Sequence, residues 1–261
     1  MTPEKALIDN YSAFAVDLDG VVWRGSELIE GSIDALNAIV KSGKALLLLT
    51  NNGAYPPESV CRRLNEAGAH LRPEQVLTST VVARHWIEKN EMKGQTAFVL
   101  GPPEIVAQVD DTVEVIGIEA GSSAQIVLVG RYTDLSYERL GVAADSLRGG
   151  AVFLALNNDP VMPVPGGMVP GTGSIVAALE AASGCTPLVL GKPQPPMMEF
   201  AAEILGGRGV LMIGDRPEAD IAGARLNGWD GALVASGLTP AGAEVDPEPD
   251  HRIDSLISIL G

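Results

Sequence analysis

The chain has 261 residues, 46% of them apolar, with 30 glycines, 18 prolines and few aromatics; that is enough for one large domain or two modest ones, and for burying roughly 70–75% of the unfolded surface. Thirty-three acidic residues against 18 basic ones give a formal net charge of −15, a field that repels phosphate backbones and anionic bilayers and argues against nucleic acid or membrane as a partner. Cys61 and Cys185 stand far apart without metal or disulfide spacing, MTPEKALIDNYSAF has no leader pattern, and no window approaches the ~18 apolar residues of a span, so the expected compartment is a reducing cytoplasm.

Taken in chain order, short apolar runs alternate with helical patterns. FAV (14–16) runs into Asp17, and GSIDALNAIVKSG (31–43) reads as a helix. ALLLL (45–49) runs into Thr50 and is followed by the helical PPESVCRRLNEAG (56–68). PLVL (187–190) precedes Gly191 and Lys192, and PPMMEFAAEILGG (195–207) follows as a helix. GVLMI (209–213) runs into Gly214 and Asp215 before the helical PEADIAGARLNG (217–228). Continuous runs of this length suit strands buried on both faces, the signature of a parallel sheet. Strand–helix alternation then predicts a doubly wound α/β domain, whose ligands bind at the carboxyl ends of the strands.

Each of the four runs ends in a residue with chemistry. An aspartate or threonine at one strand end is commonly a helix cap, and a lone lysine is usually solvated. Four together on one rim form a site for a cation and a phosphate. Asp17 and Asp19, two residues apart, repel each other and cost desolvation, so a counter-charge is required. An oxygen-only donor set of this kind suits magnesium, which takes one or two carboxylates plus substrate phosphate. Spacing removes the rivals: a calcium loop from Asp17 would need ligands and a glycine where Val21, Val22 and Leu28 stand. GTGSIV (171–176) lacks the third glycine of a dinucleotide fingerprint and reads as a turn opening a helix. His70, His85 and His251 accompany no plausible nucleophile and read as surface or structural.

DLDGV (17–21), TNN (50–52), GKP (191–193) and GDRPEAD (214–220), in this order and at these separations, resemble the four motifs of the haloacid dehalogenase (HAD) superfamily. Asp19 points to its phosphatase branch, and VVWRGSELIEGS together with the segment before Lys192 is similar to the NagD-like class IIA, or p-nitrophenylphosphatase-like, phosphatases. The resemblance implies a HAD Rossmann-like parallel sheet core (1–80 and 185–261) interrupted by an inserted α/β cap domain (81–184). The cap has its own strand-like runs, TAFVL (96–100), AQIVLVG (124–130) and AVFLAL (151–156).

The resemblance also implies roles. Asp17 is the expected nucleophile, forming an aspartyl-phosphate, and Asp19 the expected acid and base. Thr50, Asn51 and Lys192 are expected to hold the phosphate. Asp17, Asp215 and the backbone carbonyl of Asp19 are expected to hold Mg2+, with Asp220 and Asn52 supporting them from behind. The expected partner is a small phosphorylated metabolite, and self-association through the cap is a further expectation. A phosphotransferase acting on sugar phosphates shares the whole toolkit, and a phospho-aspartate switch or binding protein shares the sheet.

Two cap segments depart from the relatives' pattern: VGRYTDLSY (129–137) has Tyr132 where an aspartate is expected, and LNNDPVMP (156–163) keeps Asn157 and Asp159 but changes their neighbours. Arg131, Tyr132, Asp134, Asn157 and Asp159 are therefore the candidates for choosing the substrate.

Overall fold

The computed structural model describes residues 6–164 and 166–261, and residues 1–5 of the expected first core segment lie outside them. The chain divides into two compact units. One comprises residues 6–50, 57–77 and 192–261, and the other residues 51–56 and 78–191. Residues 51–56, 78–80 and 185–191, expected in the core from sequence, thus group with the inserted unit.

The first unit is built on a six-stranded sheet in the order His251–Ile253, Asp230–Val234, Val210–Gly214, Ala13–Asp17, Ala45–Thr50, Val76–Thr78. Ala13–Asp17 pairs in parallel with Val210–Gly214 on one side and with Ala45–Thr50 on the other. The chain therefore builds outward in one direction from Ala13–Asp17 and later returns to build outward in the other. That makes this strand the topological switch point, where open α/β sheets leave a crevice at their carboxyl ends. Every residue of Ala13–Asp17 and of Val210–Gly214 is buried, which is why both read as unbroken apolar runs.

Helices Ser32–Lys41, Pro57–Glu66 and Pro195–Leu205 form where their patterns predict them. Pro195 opens the last of these and Gly206, at φ 82°, closes it, in the usual proline-first, glycine-last order. Phe14, Val16, Leu36, Leu48, Leu64 and Ile213 meet in one apolar cluster on the sheet.

The inserted unit has a five-stranded sheet of its own in the order Leu188–Val189, Val152–Ala155, Ile126–Val129, Thr96–Leu100, Glu114–Val115, all pairs parallel. An antiparallel hairpin, Val161–Val164 with Gly167–Pro170, accompanies it. GTG (171–173) opens the helix Thr172–Ser183. Side chains at Gly171 and Gly173 would run into the backbone carbonyls of Asp159 and Asn158, so close packing against that backbone accounts for the glycines that mimic a nucleotide motif. No helix among the described residues is long and apolar enough to cross a membrane.

One strand sits elsewhere than expected. Leu188–Val189, the run before Lys192, pairs with Leu154–Ala155 in the inserted sheet and not with the sheet that carries Asp17. It is an edge strand, half-buried, and four apolar residues do not encode which sheet will accept them. The sheet carrying Asp17 is completed by Val76–Thr78, Asp230–Val234 and His251–Ile253, too short or too polar to stand out as apolar runs.

Candidate active site

Parallel register fixes the rim of the first unit. Asp17 lies opposite Leu49 and Val16 opposite Ile213, so Asp17, Thr50 and Asp215 leave three adjacent strands at one edge. Lys192 arrives from outside this sheet, at the head of the segment leading into helix Pro195–Leu205. Its Nζ donates to Asp17 Oδ1 at 2.5 Å, to Asp220 Oδ1 at 2.7 Å and to the Leu49 carbonyl at 3.3 Å. The lysine is 5% exposed and Asp220 1%.

Asp220 sits in a wide π-type turn, Pro217–Ile221, a form that recurs at functional sites. Its Oδ2 accepts from the backbone N–H of Asp215 and of Arg216, both at 3.1 Å. With Oδ1 on Lys192, the carboxylate is committed to holding its neighbours. Asp215 is held differently: its Oδ2 accepts from Leu238 N–H at 2.7 Å, and its carbonyl accepts from Thr239 Oγ1 at 2.6 Å. Gly20, at φ 84°, and Gly237 press against Asp215, and a Cβ on either would strike its carboxylate. Ser236 Oγ, donating to the Gly20 carbonyl at 2.8 Å, ties the two loops together. Asp19 opens to solvent, and its Oδ1 accepts from Trp23 Nε1 at 3.0 Å.

Electrostatics follow from this crowding. Burial pushes Asp17 well above the ordinary carboxylate range; Lys192 pulls it down, and Asp220, Asp215 and Asp19 push it further up. Burial works against the charge on Lys192, but Asp17 and Asp220 outweigh it and hold the ammonium above the usual lysine value. Asp19 reaches solvent at one side, yet the protein packed about the rest of its carboxyl strips away enough water to raise it as well, against the Trp23 N–H, Lys192 and Arg63. Asp17, Asp215 and Asp220 each offer a carboxylate oxygen within 4.8 Å of the others. One lysine against so many carboxyl groups leaves negative charge uncompensated, and the donors are all oxygen, so the residues fit a small hard dication such as magnesium.

Asp215 gives this crowding a measurable form. Burial, then Asp220, push its pKa from 3.8 to about 6. The folded state thus keeps a proton that the unfolded state has lost, and in metal-free protein stability falls as pH rises between about 4 and 6, by roughly 3 kcal/mol for a shift of this size. Urea unfolding in chelator should show Asp215→Asn gaining on the parent across that window and level with its own plateau above it. A pH-independent difference between the two would contradict the assignment.

The other sequence candidates lie in the inserted unit. Asn51 accepts through its carbonyl from Ser79 Oγ (3.1 Å) and Asn157 Nδ2 (2.9 Å), and Asn52 Oδ1 accepts from Ala54 N–H at 3.1 Å. Asn157 Oδ1 accepts from Asp159 N–H at 3.2 Å, so this side chain braces backbone with both ends. Tyr132 packs against the inserted unit's apolar cluster beneath the Arg139 guanidinium, 5.4 Å from its ring centroid. Arg131 and Asp134 are exposed. Sequence reasoning missed the Ser236–Thr239 loop and the Trp23 contact. Neither is marked in the sequence: the strand before the loop, Asp230–Val234, is too short and polar to stand out, and the Trp23 contact is made inside a turn.

A parallel sheet with its switch point on Asp17, and a lysine shared by two buried aspartates, place an acidic rim with one buried cation at the carboxyl ends of the strands. Models of two families match the chain, a haloacid dehalogenase-like hydrolase over residues 14–113 and a HAD-hydrolase-like family over residues 189–259. The dihydroxyacetone phosphatase of Corynebacterium glutamicum (strain R) is 30% identical over 252 residues, 95% of this chain and 90% of the relative. The 5'-nucleotidase YutF of Bacillus subtilis (strain 168) is 31% identical over 250 residues, 94% and 96% of the two chains. Among solved structures, the glycerol phosphate phosphatase Rv1692 from Mycobacterium tuberculosis in complex with magnesium superposes with a TM-score of 0.84 at 30% identity, over 98% of this chain and 78% of that one. The chain belongs to the haloacid dehalogenase-like hydrolases, and within them to the NagD-like phosphatases.

Proposed function

We propose that the protein hydrolyses small phosphate monoesters through a phosphorylated Asp17, with magnesium as its resident cation. The observation that carries this reading is the Asp17–Lys192 contact of 2.5 Å at the switch point of the sheet. It fixes one carboxylate oxygen and leaves the other to meet phosphorus. As the bond from Asp17 oxygen to phosphorus forms, the bond from phosphorus to the ester oxygen breaks, and Asp19 passes a proton to the departing oxygen. Asp19, now a carboxylate, then takes a proton from the water that attacks the phosphoryl group, which returns Asp17 free and releases phosphate.

Lys192 offsets the charge that builds on the phosphoryl oxygens, and Thr50 with the amides about Asn51 orients them. Asp220 keeps Lys192 in place, and Asn52 steadies the turn behind Asn51. Asp17, Asp215 and the Asp19 carbonyl would hold magnesium, which when bound supplies the positive charge that lets a phosphate dianion enter a chain of net charge −15. Support for the cation comes from the oxygen-only donor set and from the magnesium complex of the glycerol phosphate phosphatase relative.

The relatives named as dihydroxyacetone phosphatase and glycerol phosphate phosphatase favour a polyol or sugar phosphate as substrate, and the nucleotidase sets the comparison. Two unbridged cysteines accord with a reducing cytoplasm.

Purified protein assayed on dihydroxyacetone phosphate, glycerol phosphate, AMP and p-nitrophenyl phosphate should release inorganic phosphate with no added acceptor, lose activity in chelator and recover it with magnesium. Acid quench during turnover should place a phosphoryl group on Asp17, located by mass spectrometry of the peptide. Full turnover in chelator would remove the cation from the account, and a quench that finds the group on another residue would remove Asp17.

A further inference from the structure

On the reading of Asp19 as the proton donor to the leaving group, we infer that Trp23, backed by Arg63, is the positioning residue for that donor. The turn after Asp17 closes on itself. The N–H groups of Val22 and Trp23 donate to the Leu18 carbonyl at 2.9 and 3.1 Å, and Gly20 N–H donates to the Trp23 carbonyl at 2.7 Å. This curl brings the indole alongside Asp19, where Nε1–H donates to Oδ1 at 3.0 Å. An indole has a single donor and no acceptor, so the bond has one polarity. Trp23 is 5% exposed and therefore held by packing, whereas Asp19, whose carboxylate it grips, is exposed.

Arg63, on helix Pro57–Glu66, lays its guanidinium 4.2 Å from the centroid of the same ring and ties itself to the Gly25 carbonyl at 2.8 Å. A cation on an indole face is held by the ring's negative quadrupole. It draws electron density toward itself and makes the N–H a stronger donor.

The consequence is a division of labour within one carboxyl group. Oδ1 is pinned by the indole, so the proton delivered to the departing oxygen resides on Oδ2, and the rotation that would present the wrong oxygen is blocked. An exposed aspartate without this restraint would sample several rotamers, and each non-productive one subtracts from the fraction of encounters in which the proton is in reach.

The dependence on leaving group isolates this role. p-Nitrophenolate departs with little need of a proton and phenolate needs it more, and kcat/KM reports only the steps up to that departure. We would measure kcat/KM on p-nitrophenyl phosphate and phenyl phosphate for the parent, Asp19→Asn, Trp23→Phe, Arg63→Met, and a protein carrying benzothienylalanine at position 23. That residue keeps the bicyclic shape and lacks the N–H, so it carries the test should Trp23→Phe fail to fold.

Asp19→Asn should lose about tenfold more on phenyl phosphate than on p-nitrophenyl phosphate, the position-23 variants about threefold more, and Arg63→Met less in the same direction. If Asp19→Asn discriminates between the esters and the benzothienyl protein does not, Trp23 only packs and the inference is overturned alone. If Asp19→Asn shows no discrimination, the acid role of Asp19 falls first and the inference falls with it.

Discussion

Asp17→Asn should lower turnover on every phosphate ester by on the order of 10⁴-fold or more, because it removes the attacking oxygen and splitting the reaction into two steps is no longer available. The same substitution should leave the fold intact and the metal-free protein at least as resistant to heat. Asp17 is buried among Lys192, Asp220, Asp215 and Asp19, so a neutral amide of the same shape relieves crowding while its oxygen still accepts from Lys192. Activity within tenfold of the parent, measured on protein free of the host's own phosphatases, would sink the nucleophile assignment. A collapsed thermal transition would show that the charge on Asp17 is needed for folding, contrary to the direction of its pKa.

Lys192→Met carries the second large effect, and here activity and stability move together. Removing the ammonium strands Asp17 and Asp220, two buried carboxylates held at 2.5 and 2.7 Å, and breaking a buried pair from one side costs about 3–5 kcal/mol. Rate should fall on the order of 10²–10³-fold as a donor to the transferring phosphoryl group disappears. The double variant Lys192→Met/Asp220→Asn should recover part of the stability and none of the rate, since it removes the stranded charge but not the missing donor. Recovery of rate in the double variant would mean that Lys192 serves Asp220 and not the phosphate.

The residues that could be read from sequence are those that end a buried strand. Asp17, Thr50 and Asp215 each follow an apolar run that only a parallel sheet accommodates, and their meeting is a consequence of strand direction alone. Lys192 was legible as a residue and not as a position: its preceding strand joins the other sheet, and the lysine reaches Asp17 from a loop. Trp23 and the Ser236–Thr239 loop were silent because their work lies in closures: one turn curling back four residues, and one loop meeting residues more than 200 positions earlier. Neither leaves a periodic trace. Tyr132 shows the converse, a departure from the relatives' pattern whose ring contacts its own unit's apolar cluster and Arg139.

The order of the strands also bears on how the protein is made. Ala13–Asp17 leaves the ribosome well before the segments it depends on: its counter-ion Lys192 lies 175 residues after Asp17, and its partner strand Val210–Gly214 follows later still. At roughly 5–20 residues per second of synthesis, the central strand waits on the order of 10–40 s with one edge unpaired and the Asp17 carboxylate unopposed. The inserted unit has its last strand, Leu188–Val189, in hand before that wait ends. Nascent chains are thus most exposed to mispairing and to chaperone capture while the sheet that carries Asp17 is incomplete, and a truncation just short of Val210 would yield a species with one unit's strands complete and the other unit's sheet cut through its middle.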